Sequence, residues 1–284
     1  MVSTDASGHF RIVIIPGPGV LMAQVDYRSE KLDGQPINPF RAAEFDAEDA
    51  KRAKPVNKGG DRIFTTAGNS IELMGLEGVV KVLDFAEETE KANVTLTVDR
   101  GKTLPIRIED AEGKPLTGAI VSGMTELWPM TFALKKAEGT IYALDGKRQR
   151  HVVFYHRERK LGGHVIVRGD EKEPVTVRLE LLGTVTGRLL DLDGQPISGV
   201  EVSLSMPLRA ESELFRYLDA QREPVKTDKD GRFRLEGVLP RLIFQLSLHQ
   251  GRTYFTGDPK IGTKQVGPGK TLDLGDVRVK GSKF

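Results

Sequence analysis

The feature that most constrains this chain is a gapless internal repeat. Residues 175–202 lie over residues 94–121 at an offset of 81. Val94, Thr95, Thr103, Arg107, Asp110, Gly113, Pro115, Gly118 and Val121 each meet the same residue type in the second copy. The shared centre reads Asp-x-x-Gly-x-Pro-x-x-Gly. In the second copy Val185, Gly187 and Leu189 alternate with other residues before that centre, and Val200, Val202 and Leu204 alternate after it. A period of two is the strand period, because successive side chains point to opposite faces. Asp193-Gly194 supplies the turn, with glycine free to take positive φ. Pro196 cannot donate to a ladder and belongs outside the paired strand. Gly199 marks a bulge or a close backbone approach. Repeated strand–turn–strand units of this kind predict a β protein built from similar modules.

A second signal follows in the same region. "TDKDGRFRL" runs from Thr227 to Leu235, and "TDASGHFRI" runs from Thr4 to Ile12. At that offset Thr4, Asp5, Gly8, Phe10 and Arg11 are retained. Asp230-Gly231 forms a turn, Phe233 and Leu235 face the core, and Arg232 and Arg234 face solvent. The full set of signals lies in the last hundred or so residues. The start carries only the later part of the set. The N-terminal unit is therefore expected either to lack its first strands, encoded upstream in a longer polypeptide, or to complete itself with residues 27–83.

The rest of the chain is read more coarsely. "FRIVII" (Phe10–Ile15) and "VLMAQV" (Val20–Val25) flank "PGPG" and predict a hairpin. Residues 27–75 read as an insertion or linker, with a short helix expected in the Ala- and Glu-rich stretch Pro39–Pro55. "LDGQPI" at Leu32–Ile37 repeats Leu192–Ile197 and reads as a turn or a coincidence. "GTIYALD", "RHVVFYH" and "GHVIVRGD", within residues 139–170, predict strands. Ala210–Glu223 predicts a helix with Leu214, Phe215 and Leu218 on one stripe, capping the end of a sandwich. "TLDLGDVRVKG" predicts a closing strand. The expected division is residues 1–92 as a partial or atypical unit with an insertion at about 27–75, residues 93–181 as a β-sandwich repeat, and residues 182–284 as a second sandwich. Many short strands at regular spacing predict β-sandwiches.

"GTVTGRLLDLDGQPISGVEVSLS" followed by "TDKDGRFRLEGVLP" resembles the carboxypeptidase regulatory-like family, whose transthyretin-like (prealbumin-like) fold is related to Cna-type B modules. The likeness is good for residues 182–281, weaker for residues 94–181, and limited to the late strands at the start. The resemblance implies an all-β fold of tandem transthyretin-like antiparallel β-sandwiches with short helical insertions. It also implies a non-catalytic structural or recognition module of an extracytoplasmic, cell-envelope or secreted protein. Its partner would be an unknown protein or a glycan, since some relatives with a carbohydrate-binding-like fold bind sugars. The rival expectations are a carbohydrate-binding accessory module and an undetected hydrolase accessory or enzyme.

Composition excludes several chemistries. Charged residues make up 29% of the 284 and nearly cancel, to a net +2. No basic stripe suits a nucleic acid, and "KRQR" (Lys147–Arg150) reads as a charged edge or turn. No cysteine occurs, so thiolate metal sites, disulfides and cysteine nucleophiles are ruled out within these residues. No apolar run reaches the roughly 18 residues that span a bilayer, and "MVSTDASGHFR" lacks the pattern of a signal peptide.

Candidate sites are few. None of His9, His151, His156, His164 or His249 has Glu three residues on, as a metallopeptidase zinc pair requires. His151 and His156 fall on opposite faces of one strand. "DKDG" does not fit an EF-hand, because Lys226 and Gly237 stand where carboxylates are needed. Asparagine is absent after Asn93, which disfavours a Lys–Asn isopeptide link. No Gly-x-Ser-x-Gly elbow occurs, and "GPGK" lacks the rest of a phosphate loop. No catalytic, cofactor-binding or metal-ligating residue is nominated. The one candidate ligand platform is aromatic: Trp128 with Tyr142 and Tyr155, weighed against burial of the tryptophan in a sandwich core.

Overall fold

The computed structural model describes residues 2–25, 31–41, 45, 48–52, 54–55, 63–66, 69–72, 78–126, 131–205 and 225–283. The chain divides into two compact units, Met1–Asp26 with Phe40–Asp99, and Tyr27–Pro39 with Arg100–Phe284. The fold is all-β.

The first elements are β1 (Gly17–Gln24), the hairpin strands β2 (Lys31–Leu32) and β3 (Gln35–Pro36), the single helical turn α1 (Asp49–Arg52), and β4 (Lys54–Pro55), β5 (Ile63–Thr66), β6 (Asn69–Glu72) and β7 (Gly78–Phe85). In the first unit β1 pairs antiparallel with β7 from Gly17–Phe85 to Gln24–Gly78. β4, β5 and β6 form a small sheet. Asp49 of α1 is buried and accepts the Val82 N–H at 2.9 Å, which ties the helical turn to β7. The expected hairpin of Phe10–Ile15 with Val20–Val25 does not form: β1 pairs with β7 instead. Residues 10–15 lie in no ladder. The helix expected over Pro39–Pro55 is represented among the described residues by α1 alone. The helix expected at Ala210–Glu223 lies outside the described residues.

The second unit holds two sheet pairs of the same design. The first comprises β8 (Lys102–Glu109), β9 (Ile120–Ser122), β10 (Thr131–Ala133), β11 (Glu138–Leu144), β12 (Arg150–His156), β13 (Leu161–Val167), β14 (Val175–Arg178) and β15 (Glu180–Leu181). Its strand orders are β11-β8-β14 and β10-β9-β12-β13-β15. Ile106, Ile108, Val121, Ile141, Phe154 and Leu179 fill the space between. Ile37, just after β3, joins that core. The β2–β3 hairpin is held there by Asp33, which accepts the Lys135 N–H at 3.0 Å.

The second pair comprises β16 (Gly183–Leu190), β17 (Glu201–Ser205), β18 (Val225–Lys226), β19 (Arg232–Val238), β20 (Gln245–Gln250), β21 (Thr253–Thr256), β22 (Thr271–Arg278) and β23 (Lys280–Lys283). Its orders are β19-β16-β22 and β18-β17-β20-β21-β23. Val185, Leu189, Val202, Phe233, Leu248 and Val277 form its core. In each sandwich the middle strand of the three-stranded sheet pairs antiparallel on one side and parallel on the other: β8 with β11 and β14, β16 with β19 and β22.

Among the described residues one loop occurs four times. Asp5, Asp110, Asp191 and Asp228 each accept, on one carboxylate oxygen, the N–H two residues on at 2.8–3.1 Å and the N–H four residues on at 2.8–2.9 Å. In each the glycine three residues on has φ between 75° and 83°, a conformation glycine enters without steric cost. The "Asp-x-x-Gly-x-Pro" and "Thr-Asp-x-x-Gly" motifs are therefore one structure in two sequence settings. The duplicated hexapeptide behaves differently. Asp33-Gly34 takes φ of 50° and 88°, a two-residue hairpin turn, whereas Asp193-Gly194 closes the Asp191 loop.

The two sandwiches join without a linker. β15 pairs with β13 and ends at Leu181; β16 begins at Gly183. The Leu182 N–H donates to the Lys160 carbonyl at 2.9 Å, and the Gly269 N–H donates to the Leu181 carbonyl at 2.9 Å. Val153 of β12 is buried in the core of the second sandwich, with Tyr155 packed against it. Arg241 clasps Glu180 with two hydrogen bonds of 2.8 and 2.9 Å. Among the described residues, no helix is long and apolar enough to cross a membrane.

Candidate interaction surface

The five-stranded sheet of the second sandwich carries a row of polar side chains on its outer face. Val202, Leu204, Leu246 and Leu248 point inward and are buried. Their neighbours in sequence must then point outward. Register aligns Lys226 with Glu201, Glu201 with His249, and His249 with Tyr254, across four adjacent strands. The carboxylate of Glu201 meets the Lys226 ammonium at 3.1 Å and the His249 Nε2 at 2.8 Å. The His249 and Tyr254 rings stack, with centroids 6.0 Å apart at 29°. The Lys226 contact, and secondarily His249, hold Glu201 below the usual carboxylate range, against an opposing effect of burial.

This row offers a cation, an acceptor, an imidazole and a half-exposed aromatic ring on one flat face. Glu201 is already committed to two partners, so it is poorly suited to act as a general base. Hydrogen bonding and ring stacking are what the arrangement can supply. Sequence reasoning missed it because its members are far apart in the chain; only strand register brings them into line.

The outer face of β19-β16-β22 is also polar. An open groove of about 640 Å³ there is lined in part by Thr186, Arg188, Arg232, Arg234, Asp273 and Asp276. Arg188 stands 4.0 Å from Asp276, and Thr186 donates to Asp273 at 3.2 Å. Paired, exposed charges of this kind make a solvated face and each contributes little.

Two members of the candidate aromatic platform, Tyr142 and Tyr155, pack against different cores. Trp128 lies outside the described residues. Tyr142 is on β11 and packs against the first core, while Tyr155 is on β12 and packs against the second. The histidines are spread likewise. His151 and His156 occupy opposite faces of β12. His156 is buried and lies 3.1 Å from the Thr117 carbonyl through Nε2, while Nδ1 accepts the Arg159 N–H at 3.3 Å. His164 is lowered from its ordinary pKa by burial first and by the neighbouring His151 second. His9 is exposed beside Asp5. Among the described residues, no group of three or more His, Asp or Glu side chains is placed to hold a metal ion.

No protein-family model matches the chain, and no curated protein matches it. Solved structures do. The Bacillus anthracis TIE protein is 13% identical, with 64% of this chain and 34% of that chain covered, at a TM-score of 0.25. The chain thus spans about a third of that protein's length. The shaft pilin SpaA from Lactobacillus rhamnosus GG is 10% identical over 64% of this chain and 98% of that one, at a TM-score of 0.25. A streptococcal ancillary pilin is 14% identical over 78% and 72%, at a TM-score of 0.30. Likenesses at this level do not decide function.

Proposed function

We propose that this chain is a non-catalytic protein of tandem transthyretin-like β-sandwiches that serves as a structural and recognition module of a cell-envelope or surface assembly. In this reading residues 93–181 and 182–284 are two copies of one module, and residues 1–92 are an atypical third. The linker-free joint carries the proposal. A strand of the first sandwich runs directly into the second, and Val153 of the first is buried in the core of the second. Coupling of that kind suits a spacer that transmits position or force, since flexibly linked modules move independently by default. Backbone ¹⁵N relaxation on the full chain tests it. One shared rotational correlation time for residues 100–181 and 182–283 is expected; two independent times overturn it.

A second reading, glycan recognition, is supported by the Lys226–Glu201–His249–Tyr254 row, where an aromatic ring lies beside hydrogen-bonding groups on a flat face. Glycan-array binding that disappears in Tyr254→Ala, with the fold retained, supports it. Absence of binding by the intact chain overturns it.

A further inference from the structure

We propose that the N-terminal unit accepts a β-strand in trans, between residues 10–15 and residues 94–98. The inserted strand would be of the β16 type, ending in an Asp-x-x-Gly-x-Pro turn. One loop occurs in two settings. At Asp228 and at Asp5 the loop has the same hydrogen bonds and the same glycine conformation.

What surrounds the two loops differs. The Gly231 carbonyl accepts the Leu189 N–H of β16 at 2.8 Å. A Cβ on Gly231 would run into the Leu189 carbonyl and crowd the turn at Pro196. Thr227 is buried; its hydroxyl donates to the Ile197 carbonyl at 2.8 Å and accepts the Val200 N–H at 3.0 Å. Each of those partners belongs to β16 or to the turn after it. At the N-terminal loop, a Cβ on Gly8 would meet no atom of the described residues within 4 Å, and Thr4 is exposed. The loop is built, but among the described residues no strand and turn enclose it as they do its counterpart.

The segments on either side of the expected strand show the same thing. After the Asp228 loop the chain forms β19, antiparallel to β16, with Phe233 buried. After the Asp5 loop, residues 10–15 lie in no ladder, and Val13 and Ile15 are 99% and 90% exposed. The parallel neighbour has a counterpart too. Residues 94–98 match β14 by the 81-residue offset, and β14 pairs parallel with β8. Val94, Leu96 and Val98 are half-buried, and Thr95 and Thr97 are exposed, yet residues 94–98 also lie in no ladder. By sequence offset, residues 10–15 and 94–98 thus correspond to the antiparallel (β19) and parallel (β14) neighbours of the central strands β16 and β8 in the two complete sheets. An unpaired strand edge is a template for strand addition. Its occupant is defined by what Gly231 and Thr227 touch: a strand of alternating aliphatic residues closed by the turn.

The probe is a synthetic peptide of residues 182–200, added to the full chain and followed by amide hydrogen exchange. Exchange at residues 10–15 and 94–98 is expected to slow by about tenfold or more at saturating peptide. Residues of β19 and β22 should stay unchanged. A scrambled peptide should give no protection, and Ile14→Asp should abolish the effect. Fusing the same peptide to the N-terminus through a flexible linker should slow the same amides, which guards against weak binding in trans. The proposal is overturned by slow exchange at these residues without peptide or by no protection in either format. It is equally overturned if self-association of the free chain protects the same amides, since a second copy would then be the occupant.

Discussion

The Leu189 amide donates to the Gly231 carbonyl at 2.8 Å, and the Leu189 carbonyl stands where a Cβ on Gly231 would have to go. The Asp228 loop and β16 are thus fitted to each other at backbone distance. Gly231→Ala should combine positive-φ strain with a displaced backbone, costing about 3 kcal/mol or more. Gly8→Ala meets open space and should cost only the φ strain, about 1 kcal/mol. Urea denaturation of both variants measures the difference; equal costs would show that the two loops share one environment.

That contrast also marks what the residues alone reveal. Strand composition and alternation made β11, β12, β13, β16, β19 and β22 legible; β12 sets Phe154 on the first core and Val153 on the second. The offset of 81 correctly paired β8 with β16. Three things were hidden. Phe10–Ile15 has strand composition, yet its alternation has no ladder to join, and β1 pairs with a strand more than fifty residues later. The "Thr-Asp-x-x-Gly" and "Asp-x-x-Gly-x-Pro" motifs share Asp-x-x-Gly but differ in their flanks, and it is the hydrogen bonds of the aspartate that show them to be one loop. The Lys226–Glu201–His249–Tyr254 row depends on register, which short strands with polar outer faces do not announce.

Asp110 is the copy of the loop aspartate most enclosed by the fold. Its side chain accepts from Glu112 and Lys114, and Arg159 donates to its second oxygen at 3.0 Å. The Lys114 N–H chiefly, then Arg159 and the Glu112 N–H, lower its pKa against the opposing effect of burial. Asp110→Ala leaves two backbone N–H groups without their acceptor and should lower the melting temperature. Asp110→Asn keeps an acceptor and should lower it less. With a folded pKa below the unfolded one, Asp110 stabilises the protein above the ordinary carboxylate range. That contribution is lost as pH falls through the folded value. Thermal melts of wild type and Asp110→Asn should therefore converge at low pH.

His164 gives a separate acid dependence. Burial lowers its pKa below 6.5, and His151 adds to the effect. Below about pH 6.5 the unfolded chain takes up a proton that the folded protein does not, so stability falls with acidification until the folded value is passed. His164→Gln removes the titrating group. Its melting temperature should change less between pH 7 and pH 5 than that of wild type, at constant ionic strength. An identical slope in the two proteins would assign the acid sensitivity to other groups.

The joint between the sandwiches separates packing from charge. Arg241 and Glu180 form a two-pronged ion pair, but the arginine side chain is 64% exposed. Exposed pairs contribute about 0–1 kcal/mol, so Glu180→Gln should shift stability by less than that. Gly162 is different. It faces the joint, and a Cβ there would come within 2.5 Å of Leu239 and 2.6 Å of Leu182. Valine at this position overfills the contact, which costs about 1–3 kcal/mol in a packed interior. Its cost should fall on the coupling rather than on either core, since Leu182 and Leu239 both belong to the second sandwich and Gly162 to the first. Calorimetry on the full chain should show the transition that spans residues 100–283 split into two in Gly162→Val and stay single in Glu180→Gln. A split in Glu180→Gln with none in Gly162→Val would reverse the assignment and place the coupling in the ion pair.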